Sequence, residues 1–221
     1  MKKYKNFLFD MDDTLKDFTN EDKIILNKIH KILKIDNTIR CKFLNLINKL
    51  AFMIKNTGLI KTNLNILDVR LKLYSKFLGV SLSKYSKEYY KVLDEVVVLF
   101  AGTTKVIKTL IENNCNIFII TNNPTSKKIA IDLGVPILNI YVLSKEENKE
   151  KIISRIIKEK NLDKELTVMV GDNLIEDIYS AKKNNIDTIW INYNDRLFKL
   201  FSGVIKPNYI ISKIDSIIEF I

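Results

Sequence analysis

From residue 101 onward the chain alternates between two kinds of apolar pattern, and that alternation constrains its fold more than any other feature. Runs of strand length stand at Ile117-Phe118-Ile119-Ile120, Ile140-Tyr141-Val142-Leu143, Val168-Met169-Val170, Thr188-Ile189-Trp190-Ile191 and Tyr209-Ile210-Ile211. Around them apolar residues recur at helical spacing, at Val106, Ile107, Leu110 and Ile111, at Ile129 to Leu133 before Gly134, at Ile152 to Ile157 and at Ile178 to Ala181. A last helical stretch, Ile214 to Phe220, closes the chain. Strands joined through helices pair in parallel, and continuous apolar runs suit strands covered on both faces. The expectation is an α/β fold, an open parallel Rossmann-like sheet with flanking helices.

One more strand is expected at the start of the chain, and it ends abruptly. Phe7-Leu8-Phe9 runs into Asp10-Met11-Asp12-Asp13-Thr14-Leu15, with three carboxylates within four residues. Buried like charges repel and lose hydration, so Asp10 and Asp12 are tolerable together only where a cation, donors or water compensate them. A hard divalent metal such as Mg2+ is the simplest compensator. A solvated acidic turn that caps the next helix is the plainer alternative. A calcium-binding EF-hand loop is excluded, because Leu15 stands where that loop needs Gly, although Glu21 occupies its closing position.

Further polar segments fall at the carboxyl ends of later strands, where open parallel sheets bind their ligands. Thr121-Asn122-Asn123-Pro124 follows the second strand, and Gly171-Asp172-Asn173 follows the fourth. Each is by itself a common turn and helix cap. Gly171-Asp172-Asn173 continues into Leu174-Ile175-Glu176-Asp177-Ile178, which adds a second acid, Asp177, on the start of a helix. Between the third and fourth strands lies Ser144-Lys145-Glu146-Glu147-Asn148-Lys149-Glu150-Lys151, most of whose lysines read as a solvated charge run.

Taken in order, Asp10-x-Asp12-x-Thr14, Thr121, a basic residue before a helix, and Gly171-Asp172 with Asp177 resemble the motifs of the haloacid dehalogenase-like hydrolases. That superfamily comprises aspartate-nucleophile phosphatases and phosphomutases. The resemblance implies Asp10 as nucleophile, Asp12 as general acid and then base, and Mg2+ held by Asp10, Asp172, the Asp12 backbone carbonyl and Asp177. It implies Thr121, with Asn122 beside it, as a phosphoryl-binding segment. The motif lysine is Lys149 or Lys145; Lys149 is preferred because it falls in the first turn of the following helix. The family often writes this motif Lys-Pro, which this chain does not, and it often carries Gly where this chain has Asn185. Dehalogenases proper lack the second acid of the first motif, so Asp12 points to a phosphate substrate.

Between residues 16 and 100 the pattern is helical throughout. Stripes at Ile24, Ile25, Ile29, Ile32 and Leu33, at Phe43, Leu44, Ile47, Leu50 and Ala51, at Leu67, Leu71, Tyr74 and Leu78, and at Tyr89, Val92, Leu93 and Val96 predict about four helices. Residues 1–15 and 101–221 are then the α/β core and 16–100 an inserted helical domain. Its position resembles the family's cap, which selects substrate and excludes water. His30, among lysines on the first of these helices, reads as a surface residue, and Arg40 and Arg70 read as solvated or as contacts for an anionic leaving group. Nothing in this stretch distinguishes a phosphatase from a phosphomutase.

Composition narrows the class. A chain of 221 residues, 47% of them hydrophobic, can bury a real core. The net charge of +10 favours anions, yet the lysines are spread along the chain instead of forming one basic block, so no nucleic-acid partner is expected. Cys41 and Cys115 form neither a metal knuckle nor a disulfide framework, which suggests a reducing, cytoplasmic setting. Neither a signal peptide nor a membrane span is expected. The reading is a Mg2+-dependent phosphatase for a small phosphorylated metabolite, monomer or homodimer. The alternatives are a phosphomutase of the same family and a non-catalytic phospho-ligand or partner-binding module.

Overall fold

In the computed structural model, residues 1–35, 66–93, 95–144, 146–193 and 205–221 are described, the side chains of 66–70 apart. Strand β1 (Asn6–Phe9) opens the chain and is followed by helices α1 (Phe18–Ile32), α2 (Ile66–Leu78) and α3 (Leu82–Leu93). Then come α4 (Thr103–Glu112), β2 (Asn116–Thr121), α5 (Ser126–Asp132), β3 (Ile140–Val142), α6 (Lys149–Glu159) and β4 (Thr167–Gly171). A π-helical turn, Leu174–Tyr179, runs directly into α7 (Ser180–Lys183), followed by β5 (Asp187–Ile191) and β6 (Tyr209–Ile211). The closing helix, Ile214–Phe220, is of the tighter 3-10 form.

The six strands form one sheet in the order β3-β2-β1-β4-β5-β6, and every pair is parallel. The chain builds outward from β1 to β3, then crosses back to β4 on the other side of β1. That reversal opens a crevice beyond the carboxyl ends of β1 and β4, where open α/β sheets place their ligands.

Register and two-residue periodicity divide the core into two layers. Phe7 pairs with Ile117 and Val168, and Phe9 with Ile119 and Val170. These side chains share one face with Val106, Ile107 and Leu110 of α4 and with Ile214, Ile217 and Phe220. Leu8, Phe118, Ile120 and Met169 point the other way, onto Ile152, Ile153, Ile156 and Ile157 of α6 and Ala181 of α7. Every residue of β1 is buried. At about 1.5–3 kcal/mol for each fully buried large apolar side chain, this central strand is among the most strongly held elements of the sheet.

The chain divides into two compact units, Met1–Asp17 with Leu99–Ile221, and Phe18–Val98. The described residues of the second are mainly helical, and their core gathers Ile25, Leu26 and Ile29 of α1, Leu71 and Tyr74 of α2, and Tyr85, Tyr89 and Val92 of α3. The Tyr74 and Tyr85 rings lie 6.2 Å apart. The expected helix through Phe43 and Leu50 lies outside the described residues, as do Arg40 and Cys41. His30 departs from the sequence reading: it is only 8% exposed. Its lysine neighbours point elsewhere, while His30 shares a helix face with buried Leu26, four residues earlier.

Asn185 stands in the left-handed region at φ 56°, just before β5. Its short polar side chain tolerates a conformation for which glycine is the usual choice. Among the described residues, no helix is long and apolar enough to cross a membrane.

Candidate active site

The sheet delivers its first acid by one extra rung of hydrogen bonding. The Asp10 N–H donates to the Val170 carbonyl of β4 at 3.0 Å, which fixes the residue just beyond the end of β1. The chain then turns tightly: the N–H groups of Leu15 and Lys16 donate to the Met11 carbonyl at 3.0 and 2.9 Å, and Asp13 N–H to the Lys16 carbonyl at 2.7 Å. Asp13 takes a left-handed φ of 59°. The turn directs Thr14 inward, where its Oγ1 donates to Asp10 Oδ2 at 3.2 Å. Tyr193 secures the turn from outside. Its hydroxyl donates to the Thr14 carbonyl at 2.8 Å, and its ring stacks on Phe100 with centroids 3.7 Å apart. Burial first, then Asp172 and three further acids, push the Tyr193 hydroxyl above its ordinary range, which keeps it a donor.

Lys149 is the first residue of α6. Asn148 caps that helix, its side chain accepting from the Lys151 N–H at 2.9 Å. Lys149 is buried, and its Nζ donates to Asp10 Oδ1 and to Asp177 Oδ1, each at 2.5 Å. Burial works to lower the Lys149 ammonium, but Asp10, Asp177 and Glu176 outweigh it and the net shift is upward. Burial first, then Asp177 and Asp12, push the Asp10 carboxyl upward, against the pull of Lys149. Asp177 is raised as well, again by burial first.

Asp177 sits within the π-helical turn, whose start is held by Asn173. The Asn173 side chain accepts from the N–H groups of Ile175 and Glu176, at 2.9 and 3.1 Å. Its own N–H donates to Asp177 Oδ2 at 2.9 Å. Gly171 makes room for that carboxylate: a Cβ there would lie 2.2 Å from Asp177 Oδ2. Asp172 is oriented through its backbone, whose carbonyl accepts from Trp190 Nε1 at 2.8 Å.

One carboxylate oxygen from each of Asp10, Asp172 and Asp177 lies within 4.8 Å of the others. Three hard oxygen donors, two of the residues buried, suit a hard divalent cation such as Mg2+. Asp12 is partly exposed and makes different contacts. Its Oδ2 accepts from Asn123 Nδ2 at 3.2 Å, and its Oδ1 accepts from Ser126 Oγ at 3.4 Å and lies 3.3 Å from Lys16 Nζ. Thr121 is buried at the end of β2, its Oγ1 accepting from the Asn123 N–H at 3.0 Å, while Asn122 is exposed. Lys145 lies outside the described residues.

Of the residues singled out from the sequence, the structure brings Asp10, Asp172, Asp177 and Lys149 into one cluster. Sequence reasoning missed Lys16, Asn123, Ser126, Tyr193 and Trp190. Asn123 carried a signal, as part of the polar segment after β2, but it read as a cap. Lys16 carried none, because a lysine after an apolar residue reads as solvated.

The haloacid dehalogenase-like hydrolase family model matches residues 4–185 of the chain. The chain is 30% identical to a glyceraldehyde 3-phosphate phosphatase of Pyrococcus abyssi, over 86% of its own length and 82% of that protein's. It is 27% identical to the pyrimidine 5'-nucleotidase PynA of Streptococcus pneumoniae, over 86% and 84% of the two chains. Among solved structures, the HAD-hydrolase YfnB of Bacillus subtilis, bound to magnesium, superposes with a TM-score of 0.76 at 22% identity, covering 99% of this chain and 98% of that one.

Proposed function

This chain belongs to the haloacid dehalogenase-like hydrolases, and from that premise we propose that it is a Mg2+-dependent phosphatase that hydrolyses a small phosphomonoester through an aspartyl-phosphate. The observation that carries the reading is the cluster itself: three converging carboxylates, with the Lys149 ammonium shared between Asp10 and Asp177.

Asp10, Asp172 and Asp177, with the Asp12 backbone carbonyl, would hold Mg2+. Bound there, the ion supplies charge neutralisation and alignment for the phosphoryl group. Asp10 is the nucleophile: a carboxylate oxygen bonds to phosphorus as the bond to the leaving oxygen breaks. Asp12 gives its proton to that departing oxygen, and an alcohol leaves. The same carboxylate then takes a proton from water as the water oxygen attacks phosphorus, the bond to Asp10 breaks and phosphate departs. Lys149 and Thr121 hold the phosphoryl oxygens while charge redistributes. Thr14 and Lys149, on opposite oxygens of Asp10, keep its carboxylate from rotating. Asp10, Asp177 and Lys149 hold one another in place before substrate arrives, so little reorganisation of these groups is needed in the transition state.

Phosphate release from a panel of phosphomonoesters tests this, with and without Mg2+. The panel includes glyceraldehyde 3-phosphate and pyrimidine 5'-nucleotides, after the names of the two relatives. Asp10→Asn is the control, since it removes the nucleophile's charge with almost no change of shape. Mg2+-dependent release in the wild type and none in Asp10→Asn is the expected result. Turnover retained by the variant sinks the mechanism. No release from any ester would favour the mutase and the binding module, which trapping of phosphorylated Asp10 separates.

A further inference from the structure

The Asp12 side chain is gripped on both oxygens by groups from two separate segments. Lys16, from the turn after β1, and Ser126, the first residue of α5, meet Oδ1, while Asn123 donates to Oδ2. Asn123 has its own amide fixed: its Oδ1 accepts from the Thr125 N–H at 3.1 Å and from Thr125 Oγ1 at 2.8 Å. That leaves Nδ2 to face Asp12. Ser126 is fully buried, and Lys16 is 1% exposed against 29% for the Asp12 side chain. A buried ion pair is an expensive way to gain stability, since an apolar side chain of similar volume often serves as well or better. What such a pair supplies is geometry, and here the geometry ends on one partly open carboxyl group.

We propose that Lys16, Asn123 and Ser126 are positioning residues that aim the Asp12 carboxyl at the departing oxygen of the substrate. The proposal rests on the phosphatase reading above and assigns a role within it to three residues that take no part in holding the phosphoryl group or the metal. The step they govern is one proton transfer, from the Asp12 carboxyl to the leaving oxygen as its bond to phosphorus breaks. Loosening the grip therefore lowers kcat/KM only for substrates whose leaving group needs that proton, since the later attack of water, which also uses Asp12, follows release of the alcohol and is common to all substrates.

Leaving-group dependence tests this. The value of kcat/KM reports the steps up to release of the alcohol, so it is measured for an alkyl phosphomonoester and for p-nitrophenyl phosphate, whose phenolate departs unprotonated. Wild type, Lys16→Met, Lys16→Arg and Ser126→Ala are compared. Lys16→Met is expected to lose about tenfold or more on the alkyl ester, as a misplaced catalytic group does, and to stay within about threefold of wild type on the aryl ester. Lys16→Arg restores most of the loss. Aryl turnover shows that each variant is folded; where Lys16→Met is not, Ser126→Ala shows the same split at smaller size. Equal losses on both esters, or none on the alkyl ester, overturn the positioning role and leave the phosphatase reading standing. A wild type inactive on both esters overturns the phosphatase reading, and the positioning role falls with it.

Discussion

Gly171 shows how closely single residues set the candidate site. It is required by contact, because the space of its missing side chain is filled by the Asp177 carboxylate. Gly171→Ala must displace either strand β4 or that carboxylate, at a cost of about 1–3 kcal/mol. The expected result is a folded protein of lower melting temperature whose stabilisation by Mg2+ is largely lost, as a thermal titration would show; unchanged Mg2+ binding would mean that Asp177 is not a ligand. At this scale the sequence was informative where chemistry and position coincide. Asp10 and Asp172 stood out because acids directly after apolar strands need a reason, and Asp177 because it adds a second acid at the start of the helix that follows. Asn123 did not, since a contact between side chains 111 positions apart leaves no periodic trace, and Lys16, only four positions from Asp12, read as a solvated lysine.

Among the elements, α6 and α1 carry the clearest consequences. The Asn148 cap starts α6 at the residue whose ammonium joins Asp10 to Asp177. Asn148→Ala is expected to cost about 1 kcal/mol of stability and to lower kcat/KM as well, because the first turn it releases carries Lys149; chemical denaturation and steady-state kinetics measure the two effects. In α1, burial holds the His30 imidazole below its ordinary value, and its Nε2 has no hydrogen-bond partner among the described residues. A lowered folded value means that the unfolded chain takes up the proton first. The associated stability is present above about pH 6.5, the unfolded value, and is lost as pH falls towards the lower folded value. The melting temperature should drop on acidification through this window, and His30→Leu should drop less; identical slopes would show that His30 does not titrate there. The helix containing His30 was legible in the sequence, but its buried face was misjudged at that position because flanking lysines outweighed the four-residue repeat.

For the whole molecule, the legible part was the set of strands and their parallel pairing, because buried parallel strands announce themselves as apolar runs and the crossover helices separate them; their order in the sheet was not. The π-helical turn at Leu174–Tyr179 was not legible, since its period differs too little from an ordinary helix over six residues. Acids that follow two neighbouring strands, β1 and β4, come together only in the folded chain, so Mg2+ at a hundred times its Kd should stabilise the fold by about 2.7 kcal/mol. Chelator should reverse the effect, and Asp172→Asn should abolish it; a melting temperature indifferent to Mg2+ would count against the metal site. The place of β1 in the middle of the sheet also fixes an order of events during synthesis. Its two neighbours begin at Asn116 and Thr167, so of the six strands β1 waits longest between its own synthesis and that of partners for both edges. At about 5–20 residues per second the interval is on the order of ten to thirty seconds. Through that time Phe7, Leu8 and Phe9 are an apolar segment waiting for its sheet, a natural target for chaperones while the helical unit between can form from local contacts.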